Sequence, residues 1–438
     1  MRVFAAGTAE YEQGTSPHNT ITPQHPDEVV QVRSSTEVAE AVRDAATRGR
    51  VVRPQATGHG AGAAVGPGET IVDTSGMDSI EIDPAARLAR VGAGALWGSV
   101  NKAAEGHGLL GLAGSAPSVS VSGYTFGGGL GWLSTPAGLA SAHLRRVDYV
   151  DGTGRERVAA EDADDELDRE ALFVFRGGGG VGVATRLELD LVEVQDLHAG
   201  LLLWPAAHLA DVVGAWAATV GRVGAATATS IGVLHAPPLP FIPAELHGTP
   251  VVHLAVADHE GGGGAQVLLD AVRAATTPAL DTWGPADVAK LGGIHLDPPS
   301  GVPAVGDARW LGAGGAAAVA AILGVAVEDG SPLLMVEVRS TTATASGVDG
   351  AFTTAPGPFL WHAVGSPSGE SARSELDAAF ERVRQAGGPY DVGVEMGSWM
   401  EGAAATPGAL PSTVRERARA IADRVDPDRV VARPRQLV

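Results

Sequence analysis

Three glycine-rich segments of this sequence have residues that could bind an anionic ligand. They are Thr57–Gly62, Gly123–Gly131 and Gly177–Gly182. Glycine has no Cβ, so its backbone can approach a ligand closely and turn its N–H groups toward anionic oxygens. Loops of this kind that meet at one sheet edge can hold a diphosphate without a lysine. One such loop alone is typical of ordinary turns, whereas three together favour a ligand site.

His59 lies within the first segment, in QATGHG (Gln55–Gly60). A neutral imidazole between two glycines can act as a nucleophile or as a hydrogen-bond partner. A single histidine is more often structural, so the residue alone does not decide between these roles.

Two other kinds of site are excluded by spacing and composition. The pattern G-x-G-x-x-G occurs twice, at Gly106, Gly108 and Gly111 and at Gly177, Gly179 and Gly182. Neither match lies between a strand and a following helix, as a Rossmann dinucleotide site requires. The sequence also lacks the P-loop and H-E-x-x-H patterns and contains no cysteine. We therefore predict neither a Rossmann site nor a metal site.

Length and charge narrow the class of protein further. The chain has 438 residues, with 51 acidic and 31 basic side chains and a formal net charge of −20. This length predicts two domains, or one large α/β unit with an inserted segment. A strongly negative surface opposes phosphate backbones and anionic lipids, so neither nucleic acid nor membrane is an expected partner. No signal peptide and no run of about 18 apolar residues is evident, which predicts a cytoplasmic protein.

Short elements must position the glycine segments. The first half of the chain predicts a helix that Ser35 caps and that runs to Arg48, a helix over Trp97–Glu105 and a hairpin over Val147–Ala159. It also predicts strands at 28–33, 70–75 and 87–94 and a strand that ends near Val194. Gly108–Gly131 is interpreted as one long loop, a kind of segment that usually holds a ligand.

The second half of the chain alternates strands and helices in a pattern typical of an α+β domain. Helices are predicted at 208–220, 265–275, 313–323 and 371–385, and strands at 230–235, 251–257, 333–339 and 359–364. The proline-rich stretches Ala236–Glu245 and Asp297–Ala308 are interpreted as rigid connections. A last helix, Ser412–Arg424, begins a tail that could return to the first domain.

Read together and in order, four segments resemble the berberine-bridge-enzyme-like FAD-linked oxidases of the vanillyl-alcohol-oxidase/PCMH flavoprotein superfamily. They are QATGHG, GSAPSV (Gly114–Val119), GYTFGGGLG (Gly123–Gly131) and RGGGGVGVAT (Arg176–Thr185). DPDRVV (Asp426–Val431) is similar to the closing segment of that family. IHLDPPSGVP (Ile294–Pro303) and LLMVEVRSTTA (Leu333–Ala343) resemble its substrate-domain segments.

The resemblance implies an α+β fold with a PCMH-type FAD-binding domain of two α/β subdomains. It also implies a substrate domain whose antiparallel sheet, backed by helices, covers the isoalloxazine. The expected division is residues 1–195 for the N-terminal part of the FAD domain, 196–405 for the substrate domain, and 406–438 for a segment that returns to the FAD domain.

The resemblance also implies how FAD is held. His59 matches the histidine that the family bonds to the flavin 8α-methyl carbon. Ala116 stands where the family often has a second, cysteine link, so a bicovalent flavin is excluded and a single bond through His59 is expected. The implied FAD-binding residues are Thr57, Gly58, His59, Gly60, Ala61, Pro117, Val119, Gly123, Tyr124, Gly127, Gly128, Gly129, Gly131, Gly182 and Val183. Gln55 replaces the family's usual arginine, and the last glycine loop is shorter.

The catalytic base is the main departure from the family. The family typically has a tyrosine in a Y-x-N segment near the final helix, where this sequence has Trp399. Tryptophan cannot accept a proton. The candidates to replace the tyrosine are Tyr390, Glu401 and His362, with Tyr124, Glu337 and Glu395 also open. Each of them also has an ordinary structural interpretation.

Two functions remain open on the sequence. The first is an FAD-dependent oxidoreductase, an oxidase more than a dehydrogenase, that passes hydride to flavin N5. It would act on an alcohol, amine or activated C–H of a small organic substrate, with a natural product among the candidates, and reduce O₂ to H₂O₂. The alternative is a structural or redox-neutral FAD in a protein that binds or cyclises its ligand by acid/base chemistry. A binding protein with empty glycine loops ranks last.

Overall fold

The structure is a computed structural model that describes residues 1–341 and 346–438. In chain order its strands are β1 (Arg2–Ala5), β2 (Glu28–Gln31), β3 (Val51–Gln55), β4 (Glu69–Asp73), β5 (Ile80–Asp83), β6 (Leu88–Gly92), β7 (Leu109–Leu110), β8 (Leu144–Val150), β9 (Glu156–Ala160), β10 (Val183–Asp190), β11 (Val192–Glu193), β12 (His198–Pro205), β13 (Thr227–His235), β14 (Pro250–Asp258), β15 (Leu280–Asp281), β16 (Gly284–Pro285), β17 (Val305–Leu311), β18 (Leu333–Ser340), β19 (Phe359–Gly365) and β20 (Asp391–Glu395). Its helices are α1 (Ala9–Gly14), α2 (Ser35–Thr47), α3 (Trp97–Glu105), α4 (Val121–Phe126), α5 (Ser134–Ala137), α6 (Glu166–Phe175), α7 (Leu209–Thr219), α8 (Gln266–Ala275), α9 (Val288–Leu291), α10 (Val319–Gly324), α11 (Glu370–Gly387) and α12 (Ser412–Val425).

Two sheets form the N-terminal unit. The first has the order β1-β2-β4-β3, and its strands β2, β4 and β3 are parallel. The second is antiparallel, with the order β5-β6-β10-β8-β9. The C-terminal segment joins this unit: α12 packs against α6, and the Val52 N–H donates to the Val430 carbonyl at 2.7 Å.

A large antiparallel sheet forms the second unit. Its order is β15-β12-β14-β13-β18-β19-β17-β20, with β16 beside β12. Helices α7, α8, α10 and α11 cover one face and enclose an apolar core. Side chains alternate across a strand, so Val336 and Val338 of β18 face these helices while Glu337 and Arg339 face the N-terminal unit.

The predicted α+β class, with a helix-backed antiparallel sheet, is confirmed. Helix α3 has the predicted bounds, and β8 and β9 form the predicted hairpin. The boundaries expected at residues 195 and 405 fall between elements. No helix in the described residues is long and apolar enough to cross a membrane.

Some local predictions were wrong. Gly108–Gly131 is not one loop, because it contains β7 and α4. Ser34, and not Ser35, caps α2 by accepting a hydrogen bond from the Glu37 N–H at 3.2 Å. Asp297–Ala308 is not wholly a connection, since β17 begins inside it. Strand β12 and helix α6 were not predicted. The end of the Leu333–Ala343 segment, at 342–343, lies outside the described residues.

Candidate functional site

One cavity of about 1010 Å³ lies between the N-terminal unit, the C-terminal segment and the free face of the large sheet. This volume is at the upper end of the range for ligand pockets in proteins. The glycine loop 55–63 and residues 114–116 line one end. Glu337, Arg339 and His362 of the sheet line the other.

The loop around Gly58 has the features of an anion site. In the described part of the chain, the backbone N–H groups of Gly58, His59 and Gly60 have no hydrogen-bond partner. A Cβ added to Gly60 would meet only Arg435 Nη2, at 3.8 Å, and one added to Gly123 only Ser120 Oγ, at 3.6 Å. Packing within the protein therefore does not require glycine at these two positions. Free N–H groups beside open space fit a cofactor that carries a diphosphate.

The other two glycine segments differ from this expectation. The N–H groups of Gly127 and Gly128 donate to carbonyls of helix α4, and those of residues 177–180 donate to the carbonyls of Phe126, Val174 and Phe175. A Cβ at Gly131 would lie 1.7 Å from the Ala113 carbonyl oxygen. At these positions glycine permits close packing of the chain on itself, so the N–H groups named are not available to an anion.

The structure brings most of the expected FAD-binding residues to the cavity. Those that line it are Thr57, Gly58, His59, Gly60, Ala61, Val119, Gly123, Tyr124, Gly127 and Gly182. Those that do not are Pro117, Gly128, Gly129, Gly131 and Val183. Pro117 instead packs on Gly98, Gly129 lies against the Tyr124 ring, and Val183 belongs to the apolar core.

Several lining residues were not singled out by the sequence. Gln24, Ser115, Arg435 and Gln436 all line the cavity. The last two come from the C-terminal tail, and the closing motif Asp426–Val431 was the signal that this tail returns to the N-terminal unit.

His59 is fixed by three neighbours. Its ring stacks on the His18 ring with a centroid distance of 3.7 Å and an interplanar angle of 10°. The Thr57 hydroxyl lies 2.7 Å from Nδ1 and the Ser118 hydroxyl 3.3 Å from Nε2. Burial, together with the neighbouring His18, lowers the pKa of His59 to about 4. The imidazole is therefore neutral at pH 7, which is the form that has a nucleophilic nitrogen.

Glu337 is the centre of a charged cluster at the sheet end of the cavity. Only 2% of the residue is exposed. Its Oε2 accepts hydrogen bonds from the Ser230 hydroxyl and, at 3.2 Å, from Arg339 Nε. His295 Nε2 lies 3.1 Å from Oε1, close enough for an ion pair but not aligned as a hydrogen bond. Burial alone would raise the pKa of Glu337, and the charges of Arg339 and His295 outweigh it and hold this pKa well below the ordinary value.

Two histidines of the cluster are doubly protonated and positively charged. His295 Nδ1 lies 2.9 Å from Asp297 Oδ1, and His362 Nε2 lies 3.0 Å from Glu401 Oε2. Burial opposes the charged form of both rings, and the adjacent carboxylates overcome it. They raise the pKa of His295 to about 9 and that of His362 to about 10. Both rings are imidazolium ions at pH 7.

Comparison with known proteins supports FAD as the cofactor. Residues 26–159 match the family described as FAD binding domain. The (R)-6-hydroxynicotine oxidase of Paenarthrobacter nicotinovorans is 33% identical over 184 residues, which are 41% of this chain and 39% of that protein. This chain carries an FAD-binding domain.

Two solved structures share the whole fold. The 6-hydroxy-D-nicotine oxidase from Arthrobacter nicotinovorans has a TM-score of 0.83 at 20% identity, over 98% of this chain and 96% of that one. The BBE-like 1 protein of Physcomitrella patens has a TM-score of 0.82 at 18% identity, over 100% and 96%. The berberine-bridge-enzyme-like, PCMH-type fold is thereby confirmed. The matched segment spans about two fifths of the curated nicotine oxidase.

The candidates for the catalytic base lie in different places around the cavity. His362 and Glu401 both line the cavity and bond to each other. Tyr390 is not among the lining residues: its ring lies against Gly314, and the residue packs on the core behind the sheet. Glu395 lies beside Arg309 on the edge strands, also outside the lining. Tyr124 lines the cavity, but burial raises the pKa of its phenol.

The sequence did not single out His295 and Asp297 as site residues, although both line the cavity. It left Glu337 open as one of several candidate bases and gave Arg339 no separate role. The signal that could have found Glu337 and Arg339 is the polar residue at every second position of an otherwise apolar strand, because such residues share one face.

Proposed function

We propose that this protein is an FAD-dependent oxidoreductase that acts as an oxidase on a small organic substrate. The substrate would give up a hydride from an alcohol, amine or activated C–H together with a proton, and O₂ would become H₂O₂. The observation that carries this proposal is the cavity that joins unpaired N–H groups at Gly58–Gly60 to a buried charged cluster under the sheet, as the described residues show it. FAD, when bound, supplies the acceptance of hydride.

The loop Thr57–Ala61 would hold the cofactor, with one covalent bond through His59. His59 lines the cavity and is neutral at pH 7. The sequence contains no cysteine that could form a second covalent link to the flavin. These three facts support a single histidyl bond.

We assign proton removal to Glu401, with His362 as the residue that orients it. His362 is an imidazolium ion with both ring nitrogens protonated, so it cannot serve as the base. Glu401 accepts a hydrogen bond from His362 Nε2 at 3.0 Å, and its side chain is 24% exposed. A carboxylate with that access can take a proton in the cavity and release it to solvent. Glu337, with 3% side-chain exposure, has no such access.

A visible spectrum of the purified protein tests the FAD assignment. We expect a flavin spectrum that stays with the protein pellet after acid precipitation and moves to the supernatant in His59→Ala. The exposed residue His107 provides the control variant His107→Ala, which should leave the colour in the pellet. A colourless protein that binds no added FAD would overturn the proposal.

A substrate screen tests the oxidase assignment. Anaerobic bleaching of the flavin, followed by H₂O₂ release on admission of air, is the expected result for a substrate. The observation that supports the redox-neutral alternative is the dense cluster of acidic and basic side chains around Glu337. This alternative predicts ligands that bind without bleaching the flavin.

A further inference from the structure

The segment that contains His18 lies between the cofactor loop and the large-sheet unit. On one side the His18 N–H donates to the Thr57 carbonyl at 2.9 Å, and the Asn19 N–H donates to the Gly58 carbonyl at 3.2 Å. On the other side the Val302 N–H donates to the His18 carbonyl at 2.9 Å. The backbone of His18 is therefore fixed from both sides.

Neighbouring side chains strengthen this arrangement. The Asn19 side chain, only 2% exposed as a residue, donates to the Ala304 carbonyl at 3.0 Å and accepts from the Ala304 N–H at 3.1 Å. Gly58 has a φ of +68°, and a Cβ there would lie 2.3 Å from Pro17 Cβ. Glycine at position 58 lets the His18 segment approach the cofactor loop this closely.

The His18 ring stacks on His59, and its Nε2 makes no hydrogen bond in the described residues. That nitrogen is buried and has no partner in the described residues. Its ring lies parallel to His59 at 3.7 Å. Two stacked imidazoles resist double protonation because like charges repel. Asp297 acts on both rings in the opposite direction, and burial dominates, so the pKa of each histidine is lowered.

We propose that His18 is a positioning residue that holds the His59 ring neutral and oriented for its single covalent bond to the flavin. This inference rests on the proposed histidyl attachment. In that reaction one N–H bond of His59 and one C–H bond of the flavin 8α-methyl group break and one N–C bond forms. The two hydrogens and their electron pair reduce O₂ to H₂O₂. An imidazolium ring has no lone pair with which to form that bond.

The test follows covalent incorporation in freshly made apoprotein mixed with excess FAD. At timed intervals the protein is precipitated with acid, and flavin is measured in pellet and supernatant. We expect His18→Ala to lower the rate of incorporation several-fold, while the total amount of FAD bound stays the same. His18→Phe keeps an aromatic ring on His59 and should recover much of the rate. The matched control is His25→Ala, at an exposed histidine outside the cavity lining.

A pH series on the unaltered protein tests, without any variant, the neutral state of His59 that the inference requires. Because the pKa of His59 is about 4, incorporation should continue at pH 5 and stop only below that. Loss of incorporation already near pH 6, or a wild-type rate in His18→Ala, would overturn the inference. FAD that binds but is never retained in the pellet would also overturn it and leave the FAD site intact. Failure to bind FAD at all would overturn the proposed function itself.

Discussion

Glu337 shows what single residues contribute to this site. A buried carboxylate is stable only when charges and hydrogen bonds replace its water. Here Ser230, Arg339 and His295 supply them. Arg339 is itself held over the indole rings of Trp132 and Trp399, at 4.6 and 4.5 Å from their centroids. Trp399, at the position where the resemblance implies a tyrosine, thus contacts a cation, and its indole cannot accept a proton.

At Gly60, packing within the protein does not require glycine, and the proposed FAD would. We expect Gly60→Leu to weaken FAD binding by roughly tenfold or more, a loss of about 1.4 kcal/mol for each factor of ten. The unfolding free energy of the apoprotein should change by less than about 0.5 kcal/mol, because a Cβ at this position meets only Arg435 Nη2, at 3.8 Å. Titration of the freshly made apoprotein with FAD, before covalent attachment, and a urea titration measure the two effects.

Gly66 is the matched control, since a Cβ there meets nothing within 4 Å and the residue does not line the cavity. Gly66→Leu should therefore retain FAD. Equal FAD binding in Gly60→Leu and Gly66→Leu would contradict the placement of the cofactor at this loop.

At the scale of elements, strand β18 and the C-terminal segment bring remote residues to one cavity. Strand β18 pairs with β13 and β19, and Glu337 lies opposite Gly232 on one side and His362 on the other. The C-terminal segment leaves α12 at Val425 and lines the cavity from Val431 to Gln436.

Asp426 fixes the turn between α12 and the cavity-lining tail. Its carboxylate accepts hydrogen bonds from the N–H groups of Val430, at 3.0 Å, and Val431, at 2.7 Å, and the residue is buried. Loss of two bonds to a buried charge should cost about 2–4 kcal/mol of unfolding free energy in Asp426→Ala. FAD affinity should fall with it, because the tail lines the cavity.

Urea unfolding and FAD titration measure both effects. The neighbouring Asp428 is exposed, so Asp428→Ala provides the control and should resemble wild type. Unchanged FAD affinity in a destabilised Asp426→Ala variant would show that the tail does not need this turn to hold the cofactor.

At the scale of the whole molecule, the charged cluster is assembled from both units. Arg339 of the large sheet lies 3.4 Å from the Ser115 hydroxyl of the N-terminal unit. The stability of the assembled protein should therefore depend on pH through the buried histidines of the cluster.

His295 sets the expected pH window. Its pKa is about 9 in the folded protein and 6.5 without the fold, so the folded state binds the extra proton between these values. Its contribution to stability is complete below pH 6.5 and is lost as the pH rises through 9, with a magnitude on the order of 3 kcal/mol.

Urea unfolding at pH 6, 7, 8 and 9 measures this loss. In His295→Gln the protein should be less stable at pH 6, and the slope of unfolding free energy against pH should be smaller. The exposed His25 serves as control, and His25→Gln should keep the wild-type slope. A wild-type slope in His295→Gln would contradict the assignment of the proton to His295.

Local patterns in the sequence were sufficient for many elements and for the cofactor loop. The bounds of α3, the hairpin of β8 and β9, and the match of residues 26–159 to an FAD binding domain all follow from residues close together in the chain. Apolar periodicity and turn residues act over a few positions, so they can be read without the fold.

Only the tertiary structure decided which distant residues meet. His295, Glu337 and His362 come together because β18 and β19 are neighbours and the 295–297 segment folds across their free face. It also decided that Tyr390 lies outside the cavity and that His18 stacks on His59. Contacts of this kind depend on strand order and on the packing of one unit against the other. A single sequence read locally does not encode either of these, because burial and partner choice are properties of the assembled chain.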